Sequence, residues 1–426
     1  MFNHLEASEK LYPLVQQVES RIEGRLKEIG KIVEQNQWRV LDAYHKHEVG
    51  DHHFTPSTGY GYDDLGRETL EKVYAHVFGT EAAIVRQQII SGTHAIATCL
   101  FGLLRPEDEL IYITGKPYDT LDKVIGDPTN PISVPGSLAE FGVKYKIVEL
   151  LDTGQVDKAG VVQAMTSKTK VIGIQRSKGY ANRPSFTVAE IAELVKLVKE
   201  VNPNVIVFVD NCYGEFVELE EPTHVGADIM AGSLIKNPGG GLVKSGGYIV
   251  GRKELIELAG TRLAAPGIGL EGGASLYSLL EMYQGLFLAP HVVGEALKGA
   301  VFSSALLTEL GFNTTPKWDE PRTDLIQAIQ FDQAEALIAF CQGVQKAAPI
   351  NSYVTPYPSA MPGYEDEVIM AAGTFIQGAS IEFSADGPLR PPYLGFVQGG
   401  LTFEHVKIGV LTALNELNKK GLLLFK

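Results

Sequence analysis

Between residues 82 and 250 the chain alternates short apolar runs, several of them apolar almost throughout, with amphipathic stretches, and this rhythm restricts the fold more than any other feature. The runs span 82–86, 110–114, 144–150, 171–175, 205–210, 228–231 and 247–250. A strand with one wet face alternates apolar and polar residues. A run that is apolar throughout is covered on both faces, as in a largely parallel sheet with helices on either side. The intervening stretches read as those helices: Thr187 and Glu190 form a capping-box pattern ahead of an Ile191, Val195, Val198 face.

The flanks differ. Ile22, Leu26, Ile29 and Val33 share one helical face, so residues 1–50 read as an N-terminal helical segment followed by a polar loop over 45–58. Leu70, Val73, Tyr74, Val77 and Phe78 predict a second helix closed by Gly79. After residue 270 the strand rhythm stops. Residues 274–311 read as two helices interrupted near Pro290, and the remainder mixes strands (325–331, 380–383) with helices (333–344, 403–418). A chain of 426 residues exceeds one core. The expected division is the helical segment 1–50, a large α/β domain 51–290 with a mostly parallel central sheet, and a smaller C-terminal α+β domain 291–426.

Charge narrows the partners. Lys and Arg number 37 against 51 Asp and Glu, a net charge of −14. That argues against nucleic acid and anionic membrane, both of which need basic surface. No apolar run approaches the ~20 residues of a membrane span, and residues 1–10, with Glu6 and Glu9, lead into no apolar leader segment. Cys99, Cys212 and Cys341 are isolated and odd in number, as expected of reduced thiols in a cytoplasmic protein.

Four features fall at the ends of predicted strands, where open α/β sheets bind ligands. Asp210 ends the most apolar run, and a carboxylate there needs a charged partner. One such partner is the pyridinium nitrogen of pyridoxal 5′-phosphate (PLP), which a carboxylate keeps protonated so that the ring acts as an electron sink. Lys236 follows 26 residues later, ahead of Asn-Pro-Gly-Gly-Gly241, and a partly desolvated lysine is what Schiff-base chemistry requires. Ser91-Gly92-Thr93-His94 opens a helix and offers backbone N–H groups and hydroxyls to a phosphate. Tyr118 follows the strand ending at Thr114 and can stack on a cofactor ring. Each alone has an ordinary reading: a surface Asp, a loop Lys, an N-cap, a packing Tyr. The Asp210–Lys236 pair is far more specific than either member.

Rival signatures fail. Gly59-Tyr-Gly61 lacks a third glycine and a preceding strand, Val243-Lys244-Ser245 lacks the glycine of a P-loop, and no HExxH occurs. His45, His47, His52 and His53 match no zinc spacing and read as a polar active-site lip or subunit contact, with a metal as the lesser alternative.

These segments resemble those of fold-type I PLP enzymes of the cystathionine γ-lyase-like branch, and more closely the bacterial methionine γ-lyase family proteins associated with aluminium resistance. The resemblance is carried by Thr58–Arg67, Ser91–Ala95, Pro117–Thr120, Gln175–Tyr180, Val209–Phe216, Gly232–Gly241, Tyr283–Phe287 and Gly387–Tyr393, which span nearly the whole chain. It implies an aminotransferase-like fold. It implies that Lys236 carries PLP as a Schiff base and moves the proton, that Asp210 pairs the ring nitrogen and that Tyr118 stacks on the ring. Gly92, Thr93 and Ser233, beside Ser91, would hold the phosphate. Tyr60 or Tyr62, with Arg67, would reach the phosphate of a neighbouring subunit, which implies a dimer of shared sites and a homotetramer of two such dimers. Arg390, between two Pro-containing turns, is the matching clamp for a substrate α-carboxylate. The chain departs from the pattern at Ile235, where related enzymes carry a hydroxyl, and Tyr60-Gly-Tyr62 matches their Tyr-Ser-Arg only loosely.

The expected activity is a PLP-dependent carbon–sulfur lyase acting by β- or γ-elimination on a sulfur-containing or related amino acid, with no metal. An aminotransferase, or a non-catalytic PLP-binding protein linked to metal tolerance, are the alternatives.

Overall fold

A computed structural model describes residues 8–361 and 364–423. The expectation for residues 1–10 therefore lies largely outside the described residues. The chain opens on helix α1 (Ser8–Lys46), a 3-10 turn and α2 (Leu65–Val77). It continues through β1 (Ala82–Arg86), α3 (Gly92–Leu103), β2 (Glu109–Tyr112), α4 (Asp119–Ile125), β3 (Lys144–Ile147), α5 (Lys158–Ala164), β4 (Thr169–Gln175), α6 (Val188–Val201), β5 (Ile206–Asp210), β6 (Ile229–Ser233) and β7 (Gly247–Gly251). Then come α7 (Lys253–Leu263), α8 (Leu279–Glu309), β8 (Asn313–Thr315), β9 (Gln327–Gln330), α9 (Ala334–Lys346), β10 (Val368–Ala371), β11 (Ser384–Pro388), β12 (Leu394–Gln398) and α10 (Phe403–Lys419).

The first seven strands form one sheet in the order β1-β7-β6-β5-β4-β2-β3. Only β7 runs antiparallel to its neighbours, so the sheet is mostly parallel, as the apolar runs predict. Every residue of β5 is buried, with apolar clusters packed on both faces of the sheet. The parallel strands bring the residues that follow β1, β2, β4, β5 and β6 to one edge of the sheet. The last five strands form a separate antiparallel sheet, β10-β11-β12-β9-β8, backed by α9 and α10.

Three expectations are corrected. The two helices expected over 274–311 are one, because α8 runs unbroken through Pro290. Proline removes one backbone donor, but Pro290 and its neighbours are buried against α1 and the core, and this packing holds both halves in register. The boundary placed at residue 291 falls inside this helix. Helix α8 is also long and apolar enough to cross a membrane, contrary to the expectation from the sequence, yet most of its apolar window is buried inside the protein. Finally, residues 380–383 are a turn, and the strand begins at Ser384. Ile381 and Phe383 are buried as a strand would bury them, but the Glu382 carboxylate accepts the N–H groups of Phe375 and Ile376 and folds the segment back on itself.

Candidate active site

Strand ends and the start of α3 converge on a cavity of about 420 Å³. Its wall includes Ser91, Gly92, Thr93, Tyr118, Asp210, Ser233, Lys236 and Arg390.

Asp210 is the last residue of β5 and only 3% exposed. One of its carboxylate oxygens accepts the N–H of Cys212 at 3.1 Å. Burial pushes this carboxyl above the usual range, while the Lys236 ammonium and the Cys212 donors pull it back. Lys236 stands three residues beyond β6, where Pro238 and the left-handed Gly240 turn the chain away. Its Nζ lies 4.0 Å from the centroid of the Tyr213 ring. Burial disfavours the ammonium, but Cys212, Tyr213, Asp210 and Tyr118 outweigh it and hold the lysine above its usual range. Asp210 and Lys236 act on each other electrostatically from two points of the cavity wall.

Helix α3 begins at Gly92, with the Ser91 hydroxyl capping the N–H of His94 at 3.1 Å. The first N–H groups of a helix have no intrahelical acceptor. A Cβ on Gly92 would sit 3.1 Å from the Cys212 sulfur and 3.3 Å from the Ser233 Cβ, so a larger residue would crowd this cradle. The Thr93 and Tyr118 hydroxyls lie 2.8 Å apart, and the Gln175 side chain accepts the Tyr118 N–H at 2.8 Å. A donor-rich helix start, a buried carboxylate and a buried amine around one cavity fit a phosphate-bearing pyridine aldehyde.

Tyr60, Tyr62 and Arg67 are elsewhere. The two tyrosine rings stack on each other, 5.4 Å apart, and are 77% and 52% exposed. Arg67 is buried rather than a helix-surface charge. Its guanidinium donates to the carbonyls of Gly61, Gly273 and Glu271, tying the tyrosine turn to the loop before α8. The Arg67 Nε is buried without a partner among the described residues. Gly61 can hold this turn because its φ is +63° and any Cβ would strike the backbone of Ala274.

Arg390 reaches the cavity rim half-exposed and pairs with Asp366 at 2.9 Å. The histidines do not converge: His47 meets His76, His52 stacks on His53, and His53 bonds Gly50. Among the described residues no three His, Cys, Asp or Glu side chains are placed to hold a metal. Cys99, Cys212 and Cys341 are buried free thiols.

Sequence reasoning missed several wall residues. Tyr213 holds its ring beneath Lys236 with φ 74°, a strained backbone for a non-glycine residue. Tyr180, from the turn after β4, stacks on Phe396 of the small sheet and is held by the buried Asp386, whose carboxyl burial pushes up to about 7. Cys212 and Lys178 also line the cavity. All but Asp386 and Phe396 belong to segments that carried the resemblance, but nothing local distinguished them from packing residues.

Residues 11–418 match the family described as methionine gamma-lyase. The chain is 62% identical over 423 residues to the YnbB protein of Bacillus subtilis strain 168, covering 99% of this chain and 100% of that protein. It is 60% identical, with a TM-score of 0.93, to the crystal structure of a proposed cystathionine beta-lyase involved in aluminium resistance from Listeria monocytogenes, covering 95% of this chain and 99% of that one. A likeness of fold alone extends to the PLP-dependent protein YhfS of Escherichia coli, at 18% identity and a TM-score of 0.59, covering 89% of this chain and 94% of that one.

Proposed function

The chain belongs to the methionine gamma-lyase family, and on that premise we propose that it is a PLP-dependent carbon–sulfur lyase whose cofactor is carried by Lys236. The observation that supports this reading is the meeting of Lys236, Asp210 and the start of α3 around one cavity. PLP, when bound, supplies an electron sink for the pair left at the substrate Cα. The other steps belong to this chain.

Ser91, Gly92, Thr93 and Ser233 hold the phosphate end through helix N–H groups and hydroxyls. Asp210 pairs the ring nitrogen. With its charge paired in this way, Asp210 would contribute less to holding Lys236 as an ammonium, and the substrate amine, on taking the place of Lys236 on the cofactor, would free that lysine as an amine. Lys236 Nζ then takes the proton from Cα. Tyr118 packs against the ring and is fixed by Thr93 and Gln175. Arg390 binds the α-carboxylate of the amino-acid substrate, with Asp366 exchanged for it. For a leaving group on Cβ, the carbon–sulfur bond breaks with its electron pair on sulfur, and the Lys236 ammonium gives its proton to the departing thiolate; for one on Cγ, a Cβ proton is removed first. Water then converts the remaining fragment to ketoacid and ammonia.

The active unit is a homodimer, or a tetramer of two such dimers. The Tyr60–Tyr62 stack, far more exposed than a packed aromatic pair, reaches a neighbour's site, and Arg67 positions that turn rather than binding phosphate itself.

A panel of sulfur amino acids tests the activity. The expected products are a ketoacid, ammonia and a thiol in equal amounts with the cofactor unchanged. Conversion of the cofactor to its pyridoxamine form, without thiol, would make the protein an aminotransferase and overturn the reading.

A further inference from the structure

Lys178 is the least explained charge in the molecule. It is 4% exposed, and its Nζ makes one long hydrogen bond, 3.4 Å, to the Thr315 carbonyl. An ammonium has three donors. Among the described residues no carboxylate lies within ion-pair distance of it. Asp324 and Glu320 act on it only from further away, and Arg322 and Arg183 oppose them. Burial therefore pushes the Lys178 ammonium down toward the neutral amine, and an anion beside it would restore the charge.

The position of Lys178 says where that anion would sit. It lines the cavity that holds Lys236 and Asp210 and also a second cavity, of about 360 Å³, between the turn after β4 and the 315–324 segment. Lys178 is the only residue common to the two. None of the proposed cofactor residues borders the second cavity. Lys178 therefore stands at the end of the active site where the adjoining space begins. That space carries Ser185, Thr315 and Thr323, and also the carboxylates of Glu320 and Asp324, so an anion is favoured at Lys178 and not beyond it. Of the cations at the main cavity, Lys236 and Arg390 are already assigned and Lys116 is exposed and paired with Asp122, so Lys178 is the buried one left for a second anion.

Resting on the proposed lyase reading, we propose that Lys178 anchors an anionic group on the leaving fragment of the substrate. The preferred substrates are then sulfur amino acids with a negative charge beyond the scissile bond, whose tails end at Lys178, because Glu320 and Asp324 line the adjoining space.

S-carboxymethyl and S-carbamoylmethyl derivatives of cysteine and of homocysteine test this, because each pair differs in tail charge at nearly equal shape. The holoenzyme is expected to favour the carboxymethyl member by about tenfold to a hundredfold in kcat/KM, the range of a charged hydrogen bond. Lys178→Gln should abolish that preference while changing kcat/KM for the neutral member only a few-fold, and Lys178→Arg should keep most of it. Equal loss for both members would make Lys178 an α-carboxylate or packing residue and overturn the proposal. So would a wild-type enzyme without preference, which decides the matter even if the variants fail to fold. Failure of the lyase reading looks different: neither member of any pair would release thiol, with or without Lys178.

Discussion

The Nζ of Lys236 lies 4.0 Å from the centre of the Tyr213 ring, and Tyr213 holds that place with φ 74°. An ammonium over a desolvated aromatic face gains about 2 kcal/mol. The ring therefore favours the charged lysine and works against the neutral amine. Tyr213→Leu should lower the lysine pKa by about one unit, extending cofactor attachment to lower pH by that amount. Tyr213→Phe should leave the profile in place. Titrating the visible absorbance of the loaded protein reads both, and an unchanged profile for the Leu variant would deny the ring this influence.

Lys236 should be the lysine that borohydride fixes. One pyridoxyl group is expected on the peptide containing Lys236, and Lys236→Ala should lose turnover while still binding PLP through Asp210 and the α3 start. Peptide mapping decides between it and the other lysines of the region. A label on Lys178 or Lys244 would refute the assignment of Lys236.

Asp210→Asn keeps the shape of the side chain and removes its charge. The ring nitrogen then loses its counter-ion, so turnover should fall by about a hundredfold or more, on the scale of a buried charged hydrogen bond. Cofactor affinity should fall much less. Survival of turnover within a few-fold would mean that Asp210 does not face the ring nitrogen.

Shared sites predict complementation. A Tyr60→Ala, Tyr62→Ala subunit mixed with a Lys236→Ala subunit should regain activity in hybrids that pair an intact lysine with intact tyrosines. Proven hybrids without activity would argue for self-contained sites. Arg67→Ala should act differently, because it strands three buried or half-buried carbonyls. A stability loss of about 2–4 kcal/mol is expected in thermal or denaturant unfolding.

Glu215 sets a pH dependence of stability. It is fully buried, accepts the Tyr248 hydroxyl at 2.7 Å through one oxygen, and leaves the other without a partner. Burial pushes its carboxyl up to about 8 from an unfolded value of 4.5. The folded state thus holds a proton that the unfolded chain has lost, so stability should fall as pH rises from about 4.5 to about 8. Glu215→Gln mimics the protonated form. It should stabilise the fold at pH 8 more than at pH 5, by an amount on the order of a few kcal/mol in denaturant unfolding. An equal change at both pH values would show that Glu215 does not titrate with unfolding.

The sequence by itself determined the elements and the cofactor chemistry. Apolar runs announce most of the seven strands because burial on both faces is written into consecutive residues; the exception is the edge strand β3, whose Lys144 and Lys146 are exposed. Asp210 and Lys236 are conspicuous because charges seldom sit beside such runs. What lay beyond reach depended on contacts between distant segments. The continuity of α8 through Pro290 follows from packing against α1, which no local pattern of breakers conveys. The edge strand β10 and the return strand β12 owe their existence to pairing with β11, and residues 380–383 turn because Glu382 finds two backbone donors seven and six residues upstream. Arg67 reads as a helix-surface charge until the 271–273 loop folds over it. Lys178 reads as a loop lysine until the small sheet closes against it and leaves its ammonium buried and unpaired. Periodicity encodes which face of an element is apolar. Which distant residue covers that face, and which charge is thereby left without water, only the tertiary structure decides.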